Sequence, residues 1–473
     1  MSLHDYECVI GLEVHAELKT ATKIFCGCPT TFGAPPNTQC CPVCTGMPGA
    51  LPVLNREVVR LAVRAGLALG CTIARFSKLD RKNYVYPDLP KAYQISQYDA
   101  PLCVGGHLDV DTPNGARRVG ITRIHIEEDA GKLVHLPGEG TLLDCNRCGV
   151  PLIEIVSEPD IRSAEEAKSY VQSLRAVLLA AGVSDCRMNE GSLRCDVNLS
   201  VRKKGETALG TRTEMKNLNS FQSIYRAVEV EFRRQVELIE AGGTVEQETR
   251  RFDAATGTTS AMRRKENADD YRYFPDPDLP PVTLTEREIE DIRAELPALP
   301  DENKREFIAR FGLSEYAAGL LIRSTSAAQF FRETAAKTRY PKVCANLLIG
   351  GVLPSLGEED AIALDGAKFA ALCNLSGDGR LSSTAAQRVL AAVLEGADPE
   401  AYMREHGLEQ VSDDGALRET AEQVIVQNEK IVRDLLGGKQ AALQALVGQG
   451  MRLTRGKANP EKLADLLRET LGL

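Results

Sequence analysis

Two pairs of closely spaced cysteines lie near the start of the chain. The thiols are separated by one residue, then twelve, then two, at Cys26, Cys28, Cys41 and Cys44. Two close pairs joined by a short loop are typical of a tetrahedral zinc site, and four sulfur ligands leave the metal no open position. The spacing therefore predicts one structural Zn²⁺, whereas buried thiols acting as small hydrophobic side chains are the plainer alternative.

Three further cysteines leave the ligand set of this zinc site open. Cys40 adjoins Cys41 and could replace it as a ligand. Cys145 and Cys148 form another pair with two residues between them, and this pair could combine with Cys41 and Cys44 instead. The sequence favours the first four cysteines because their paired spacing is the more specific signal.

Carboxylates and imidazoles recur at alternating positions of apolar segments. Glu13 and His15 share one face of such a segment, and in VGITRIHIEED the alternation places Glu127 on the face of His125. Glu154 lies within the apolar run PLIEIV, where an unpaired carboxylate is costly. Oxygen ligands with one imidazole suit Mg²⁺ or Mn²⁺, so these residues are candidate metal ligands. A salt-bridged or solvated carboxylate remains the alternative for each residue alone.

A basic segment with interleaved tyrosines follows the first helix signal. Its cations are Lys78, Arg81, Lys82 and Lys91. Guanidinium and ammonium groups bind phosphates, so the segment is a candidate nucleotide contact, with a solvated loop as the alternative. The sequence contains no Gly-x-x-x-x-Gly-Lys-Ser/Thr loop, and an ATP site here must therefore be of another type.

The end of the chain is basic although the chain as a whole is acidic. From residue 439 onward there are six Lys or Arg against three Asp or Glu, and Arg452, Arg455 and Lys457 cluster before Asn459-Pro460. Asn as a helix cap and Pro in the first helical position predict a helix start there. A helix start beside cations is a candidate phosphate contact, and a solvated helix end is the alternative.

The strands and helices that must position these residues are predicted to form an α+β fold. Residues 8–18 and 192–202 alternate as half-buried strands, and the second contributes Asp196 to a polar face. Helices are predicted after Asn55, after a capping box of Ser163 with Glu166, and from near residue 221. This order indicates a largely antiparallel sheet with flanking helices.

The pattern changes after about residue 295. The remaining residues have helical spacing, rich in Ala, Leu, Glu and Arg, with short Gly and Asp breaks. We expect an α+β domain over residues 1–295, a helical domain over 296–404 and a small helical tail over 405–473. The last boundary could also fall at Gly407 or within residues 412–415.

Composition restricts the classes of function. The 473 residues carry a net charge of −9 and no Trp, so neither a general nucleic-acid coat nor aromatic stacking along single strands is favoured. No run of about 18 apolar residues and no signal peptide are present, which predicts a soluble cytoplasmic protein. Fourteen cysteines in such a chain favour metal ligands and buried thiols over disulfides.

Many of these segments, taken in order, resemble the B subunit of the glutamyl/aspartyl-tRNA amidotransferases. The resemblance covers nearly the whole chain and rests on long blocks in register: VIGLEVHAEL, KIFCGCPTTFG, CPVCTGMPGALPVLN, DRKNYVYPDLPKAYQISQYD, ITRIHIEEDAGK, PLIEIVSEPDIRS, EGSLRCDVNLSVR, EMKNLNSF, ETRRFD, DDYRYFPDPDLPP and GQGMRLTRGKANP. Cys148 departs from the usual pattern, in which a non-cysteine residue follows CNR.

The resemblance implies an activity and a set of partners. Family members use ATP to convert glutamyl-tRNA(Gln) to glutaminyl-tRNA(Gln), or aspartyl-tRNA(Asn) to asparaginyl-tRNA(Asn). The amidase, or A, subunit supplies ammonia from glutamine, and a small C subunit joins the two. The first domain would be a catalytic cradle for ATP, Mg²⁺ and the 3′ end of the tRNA, and the tail would bind tRNA.

The resemblance also assigns site residues. Mg²⁺ would be bound by His15, Glu127 and Glu154, with Glu13 and Asp196 nearby as further catalytic residues. The four cysteines of the first two pairs would bind zinc. We expect ATP contacts from Arg81, Lys82 and Lys91, and tRNA contacts from the basic cluster near residue 455.

Two other classes of protein compete with this interpretation. One is a zinc-stabilised RNA-binding scaffold without chemistry, which would have no reason to gather Glu13, His15, Glu127 and Glu154. The other is a ligase for a small metabolite, which would not need a dedicated helical C-terminal third. The sequence contains no Ser-Ser-Lys amidase signature, so ammonia must come from a partner. It does not indicate which mischarged tRNA is used.

Overall fold

The computed structural model describes residues 3–112, 115–136, 138, 140–264, 268–357, 360–410, 414–454 and 457–473. The chain divides into two compact units, Met1–Pro300 and Asp301–Leu473. The first unit combines sheets with helices and the second is helical, so the predicted α+β class with a helical C-terminal region is confirmed. Among the described residues, no helix is both long and apolar enough to cross a membrane.

The first unit contains all the described strands. They are β1 (Tyr6–Glu17), β2 (Thr72–Ile73), β3 (Phe76–Ser77), β4 (Asp80–Asn83), β5 (Tyr93–Ser96), β6 (Cys103–Val104), β7 (His107–Thr112), β8 (Gly115–Glu128), β9 (Lys132–Leu136), β10 (Gly140–Asp144), β11 (Pro151–Ser157), β12 (Leu193–Lys203), β13 (Thr213–Lys216), β14 (Glu248–Asp253), β15 (Thr258–Arg264), β16 (Phe274–Pro275) and β17 (Val282–Thr283). Four helices accompany them: α1 (Arg56–Ala68), α2 (Ala164–Ala180), α3 (Phe221–Glu240) and α4 (Glu286–Ala294).

A ten-stranded sheet forms the core of this unit. Its order is β15-β14-β13-β12-β1-β11-β8-β6-β2, with β7 also paired to β8. Strands β13 and β14 run parallel, and the remaining described pairs of this sheet are antiparallel. Smaller sheets join β16, β4 and β5, then β9 with β10, and β3 with β17. The predicted, largely antiparallel sheet is therefore present.

The two faces of the large sheet have opposite character because strand residues alternate. On β1, Leu12, Val14 and Ala16 are fully buried and belong to one hydrophobic cluster with residues of α1, α2 and α3. Glu13 and His15 point to the other face, which carries the candidate site. Burial of the apolar row fixes the register, since a one-residue slip would exchange the two faces.

The predicted helix starts are present, with one difference in hydrogen bonding. Asn55 caps α1 by accepting the N–H of Glu57, and Ser163 caps α2 by accepting the N–H of Glu166. The expected reciprocal bond of a capping box is absent at Ser163. The Glu166 carboxylate instead accepts the backbone N–H of Arg162 at 2.7 Å, one residue earlier.

The second unit is built mainly from eleven described α-helices. They are α5 (Pro300–Phe311), α6 (Glu315–Leu321), α7 (Thr325–Ala335), α8 (Pro341–Leu347), α9 (Gly366–Gly377), α10 (Ser383–Leu394), α11 (Pro399–Glu405), α12 (Asp414–Gln427), α13 (Glu429–Leu436), α14 (Ala441–Leu453) and α15 (Pro460–Leu471). Two separate hydrophobic clusters lie within it. One draws its buried residues from 307–403 and the other from 417–467.

Candidate functional site

Three neighbouring strands carry the central residues of the site. Register places His15 of β1 opposite Glu154 of β11, and Glu154 opposite His125 of β8. The row therefore crosses the sheet on its polar face, and Glu127 lies two residues along β8 on the same face. Three strands that are far apart in sequence thus bring four polar side chains together on one face of the sheet.

His15, Glu127 and Glu154 converge closely enough to bind one cation. His15 Nε2 lies 3.4 Å from Glu127 Oε1 and 3.3 Å from Glu154 Oε2, and one donor atom from each residue lies within 4.8 Å of the others. One imidazole and two carboxylates form an oxygen-rich donor set that fits Mg²⁺ or Mn²⁺. The residues present therefore fit the divalent cation expected from the sequence.

The electrostatics of the three residues depend on one another. Burial opposes a charge on His15, but the hydrogen bond and charge of Glu154, with the charge of Glu127, raise the pKa of His15 to about 9. Burial would raise the pKa of Glu154, but the charges of His125 and His15 hold that pKa well below its usual range. Two carboxylates so close together repel, and a cation placed among them relieves that repulsion.

A cavity of about 600 Å³ opens over this group. Its lining includes His15, Glu127 and Glu154, together with the cations Lys82, Arg147, Arg194 and Lys216. Arg194 donates to Asp129 at 2.8 Å, and Arg147 lies 3.4 Å from the same carboxylate. Positive side chains thus surround the carboxylates, as expected where an anionic ligand and a cation bind together.

A second acidic group adjoins the first on the same sheet face. Glu13 lies opposite Asp196 on the neighbouring β12, and these two converge with Glu214 of β13. Lys216 forms ion pairs with Asp196 and Glu214. Glu13 and Asp196, which the resemblance placed near the metal, lie in this neighbouring group. Glu214 and Lys216 were missed, although TEMK alternates and could have been read as a strand.

The three predicted ATP contacts lie in different surroundings. Lys82 reaches the cavity, and its Nζ lies 4.9 Å from the centre of the Tyr271 ring. Arg81 points the other way from β4 and pairs with Asp276 at 2.7 Å. Lys91 forms an ion pair with the buried Glu128.

Lys82 is the best placed of these cations to receive an anion. Burial opposes its charge, but Glu127 and Glu154 raise the pKa of Lys82 above its ordinary value. In the described part of the chain, its Nζ has no carboxylate within ion-pair distance. Its ammonium group is therefore available to a ligand in the cavity.

The four cysteines of the first two pairs form a compact group. The sulfur atoms of Cys26, Cys28, Cys41 and Cys44 all lie within 4.8 Å of one another. A hydrogen bond from Cys26 lowers the pKa of the Cys44 thiol to about 4, with further contributions from its backbone contact and Lys23. Four convergent sulfur atoms are the donor set of a structural zinc site.

A buried lysine indicates that this thiol group carries negative charge. Lys23 is 0% exposed, and its Nζ lies 3.5 Å from Cys44 Sγ and 3.2 Å from the carbonyl oxygen of Cys145. A buried ammonium group needs a compensating anion, and an ionised Cys44 supplies one. Cys145 and Cys148 are buried against the cluster, but the four-sulfur group does not include them.

The C-terminal basic residues lie at a helix junction. Arg452 is exposed in the last turn of α14, Lys457 is exposed before α15, and Arg455 lies outside the described residues. Asn459 caps α15 by accepting the N–H groups of Glu461 and Lys462, and Pro460 is its first residue. The predicted helix start is therefore correct.

Comparison with known proteins covers nearly the whole chain. The family model described as the GatB/GatE catalytic domain matches residues 8–290, and the model described as the GatB domain matches residues 329–471. The chain is 53% identical over 476 residues to the B subunit of the aspartyl/glutamyl-tRNA(Asn/Gln) amidotransferase from Caldicellulosiruptor saccharolyticus, covering 99% of each chain.

Other relatives have the same description. The corresponding B subunits from Caldicellulosiruptor bescii and Caldanaerobacter subterraneus subsp. tengcongensis are each 53% identical, with at least 98% of this chain and 99% of the relative covered. Identity of this extent over both units indicates a family relationship and not only a shared fold. The chain belongs to the B-subunit family of the aspartyl/glutamyl-tRNA amidotransferases.

Proposed function

We propose that this chain uses ATP to phosphorylate the side-chain carboxylate of glutamyl-tRNA(Gln), aspartyl-tRNA(Asn) or both, and then replaces the phosphate with ammonia. The observation that carries this proposal is the convergence of His15, Glu127 and Glu154 in a cavity that Lys82 also enters. An RNA-binding scaffold without chemistry would have no reason to gather these groups. The relatives' description as amidotransferase subunits supports the reaction class.

The chemistry requires activation because a carboxylate does not react with ammonia. One carboxylate oxygen attacks the γ-phosphorus of ATP, ADP leaves, and an acyl phosphate forms. Ammonia then attacks the acyl carbon, inorganic phosphate leaves with the C–O electron pair, and the nitrogen loses a proton. Positioning and charge stabilisation supply most of the rate in such transfers.

The residues of the cavity match these requirements. A bound Mg²⁺ would offset the negative charge of the ATP phosphates. His15 would hold it through the Nε2 lone pair, and Glu127 and Glu154 through carboxylate oxygens. Lys82 would bind a phosphate oxygen through its ammonium group. The buried strands beneath keep the ligand atoms in fixed positions.

We propose that the ammonia comes from a partner. The sequence contains no amidase signature, and the designation of the relatives as B subunits implies that further subunits exist. The amidase, or A, subunit would hydrolyse glutamine, and a small C subunit would join the two chains. Arg81 and Lys91, both held in internal ion pairs, are less suited to contact ATP directly than Lys82.

We propose that zinc and the helical unit have supporting roles. The four convergent cysteines would bind one structural Zn²⁺. Residues 1–295 would form the catalytic cradle, residues 296–404 a helical domain, and residues 405–473 a tail that binds tRNA through Arg452, Arg455 and Lys457. Separate hydrophobic clusters within 307–403 and 417–467 support the division of the second unit.

Transamidation by the reconstituted complex tests the function. Each mischarged tRNA is incubated with ATP, Mg²⁺ and ammonium chloride, which bypasses glutamine hydrolysis. We expect amide and ADP in equal amounts, and replacing ammonia with hydroxylamine should yield, only when ATP is present, the hydroxamate of the side-chain carboxyl group from the acyl phosphate. Amide formation without ATP consumption would contradict the proposal. The same assay shows which tRNA is a substrate.

A further inference from the structure

His125 is a second imidazole in the site, and it is more deeply buried than His15. Its exposed fraction is 3%, and it lies directly opposite Glu154 in the pairing of β8 with β11. Its Nε2 atom lies 3.5 Å from Glu127 Oε2 and 3.6 Å from Glu154 Oε2. The two carboxylates are therefore flanked by imidazoles on both sides.

The two imidazoles contact the carboxylates differently. His15 approaches Oε1 of Glu127, whereas His125 approaches Oε2 of the same residue. The group of three residues whose donor atoms lie within 4.8 Å of one another includes His15 and leaves His125 out. On Glu154, by contrast, both imidazoles approach the same oxygen, Oε2, so His125 holds the second oxygen only on Glu127.

Ser96 approaches Glu127 from the same side as His125. This serine is buried at the end of β5, and its hydroxyl donates to Glu127 Oε2 at 3.3 Å. One oxygen of Glu127 is therefore held by a hydroxyl and an imidazole, while the other faces His15. A carboxylate fixed through one oxygen presents the other to a cation in a defined orientation.

The two ring nitrogens of His125 have different surroundings. Nδ1 is buried and has no hydrogen-bond partner among the described residues, whereas Nε2 faces two carboxylates. An N–H at Nε2 attracts both carboxylates, whereas a lone pair there would repel them. His125 therefore presents Nε2 to Glu127 and Glu154 together.

We propose that His125, together with Ser96, is a positioning residue that orients Glu127 and Glu154 for the divalent cation and so sets the affinity for that cation. This inference rests on the proposed function, because it presumes a metal bound by His15 and the two carboxylates. It assigns no bond between His125 and the metal. Residues that orient metal-bound carboxylates commonly change metal affinity by about 10- to 100-fold when they are removed.

The test is Mn²⁺ binding to the assembled complex, measured by electron paramagnetic resonance without ATP or tRNA. His125→Leu removes the donor, whereas His125→Gln keeps an N–H near the position of Nε2. We expect His125→Leu to weaken Mn²⁺ binding by about tenfold or more and His125→Gln to stay close to the wild-type protein. Ser96→Ala should weaken binding to a smaller extent, and the exposed His107→Gln serves as the matched control.

Activity at increasing Mg²⁺ separates a positioning residue from a ligand. With the ligands intact, His125→Leu should need more Mg²⁺ but recover most of its kcat at saturation, whereas His15→Ala should not recover. Unchanged Mn²⁺ affinity in His125→Leu would overturn the proposal. A folded His125→Leu variant that binds no Mn²⁺ at any concentration would make His125 a ligand and also overturn it.

Two further outcomes remain decisive. If His125→Leu does not fold, the proposal is judged on the other two variants, and it fails if Ser96→Ala binds Mn²⁺ normally or His125→Gln loses binding. If His15→Ala binds Mn²⁺ as the wild-type protein does, the proposed metal site itself is wrong. That failure is distinguishable, because it does not depend on any variant of His125 or Ser96.

Discussion

The candidate chemistry depends on individual charged groups held in low-polarity surroundings. Glu154 lies in the centre of a buried strand, 13% exposed, between two imidazoles. Its negative charge is stabilised there by His125, His15 and Lys82, and a divalent cation would stabilise it further. Removing that charge alone, without changing the shape of the side chain, should therefore affect metal binding more than folding.

Glu154→Gln should abolish amidation while leaving tRNA binding intact. Loss of a metal ligand removes phosphoryl-transfer stabilisation worth on the order of several kcal/mol, so turnover should fall by at least about a hundredfold. His15→Ala should behave alike. The measurement is single-turnover amide formation at saturating Mg²⁺, with tRNA affinity measured in parallel and Glu165→Gln, an exposed change on α2, as the control. Near-normal turnover of either site variant would refute the assignment.

Glu17 offers a test of electrostatics that does not involve catalysis. Burial and the nearby charge of Asp129 raise the pKa of Glu17 to about 7, above the ordinary value of a glutamate. The folded protein therefore holds this proton more tightly than the unfolded chain does. Folding stability contributed by the group is present at acidic pH and is lost as the pH rises from about 4.5 to above 7.

Glu17→Gln should remove this pH dependence. At pH 8 the variant should melt at a higher temperature than the wild-type protein, because an amide avoids the cost of a partly buried charge. At pH 5 the difference should be small, since the wild-type carboxyl is then mostly protonated in the folded state. Thermal unfolding at both pH values measures this. A variant that is equally or less stable at pH 8 would contradict the pKa shift.

Among the structural elements, the segment around the four cysteines should depend most on the proposed zinc. Residues 26–44 contain no described helix or strand, so few backbone hydrogen bonds hold them. The segment lies against the buried Lys23, whose Nζ lies 3.5 Å from Cys44 Sγ. A bound zinc would supply the missing stabilisation, as structural zinc commonly does in small metal-binding segments.

Cys41→Ser should lose zinc, whereas Cys40→Ser should keep it. Metal analysis of the wild-type protein should give about one zinc per chain, and Cys148→Ser should match the wild-type protein because Cys148 is not among the four convergent sulfurs. The adjacent residue Cys40 serves as the matched control. Zinc loss in Cys40→Ser but not in Cys41→Ser would favour the alternative ligand set. A folded, fully reduced and metal-free wild-type protein would refute the site.

At the scale of the whole molecule, the two units differ in composition and in the function proposed for each. The first contains the sheet and the cavity, and the second contains helices with their own hydrophobic clusters. The last of these clusters draws on residues 417–467 and includes none of the buried residues of the preceding helices. A deletion that removes it should therefore leave the remaining cores intact.

Deleting the residues after about position 410 should weaken tRNA binding strongly and flatten its salt dependence. With fewer phosphate contacts, binding releases fewer counterions, so the affinity for tRNA falls less steeply as the salt concentration rises. Glutamine hydrolysis by the complex should persist, because the cradle remains. Filter binding at several salt concentrations measures the effect, and the full-length double variant Arg452→Ala with Lys457→Ala should reproduce part of it. If the affinity for tRNA and its salt dependence were unchanged, the tail would have no part in tRNA binding.

Several features could be predicted from the sequence because they depend on residues that lie close together in the chain. Alternation of side chains along a strand separates Glu127 from Glu128, and in the structure Glu127 faces His15 whereas Glu128 pairs with Lys91. Caps at Asn55 and Asn459 begin helices because their side chains accept orphan N–H groups. The cysteine spacing likewise indicated the four convergent sulfurs, because the ligands lie close in sequence.

Other features depended on the tertiary structure, because strand pairing is not encoded in any one segment. The register of β1 with β11 and β12 brings Glu154 to His15 but assigns Glu13 and Asp196 to a neighbouring group with Glu214. The β4 strand separates Lys82 from Arg81, since adjacent residues point to opposite sides.

The sequence by itself determined the class of fold, the family and the types of chemical group available. Periodicity and capping act over a few residues, so they can be recognised without knowing what each segment packs against. The arrangement of the groups was decided only when distant strands paired and buried one face of the sheet. Burying the apolar face fixed the strand register, and that register determined which charged side chains share the cavity.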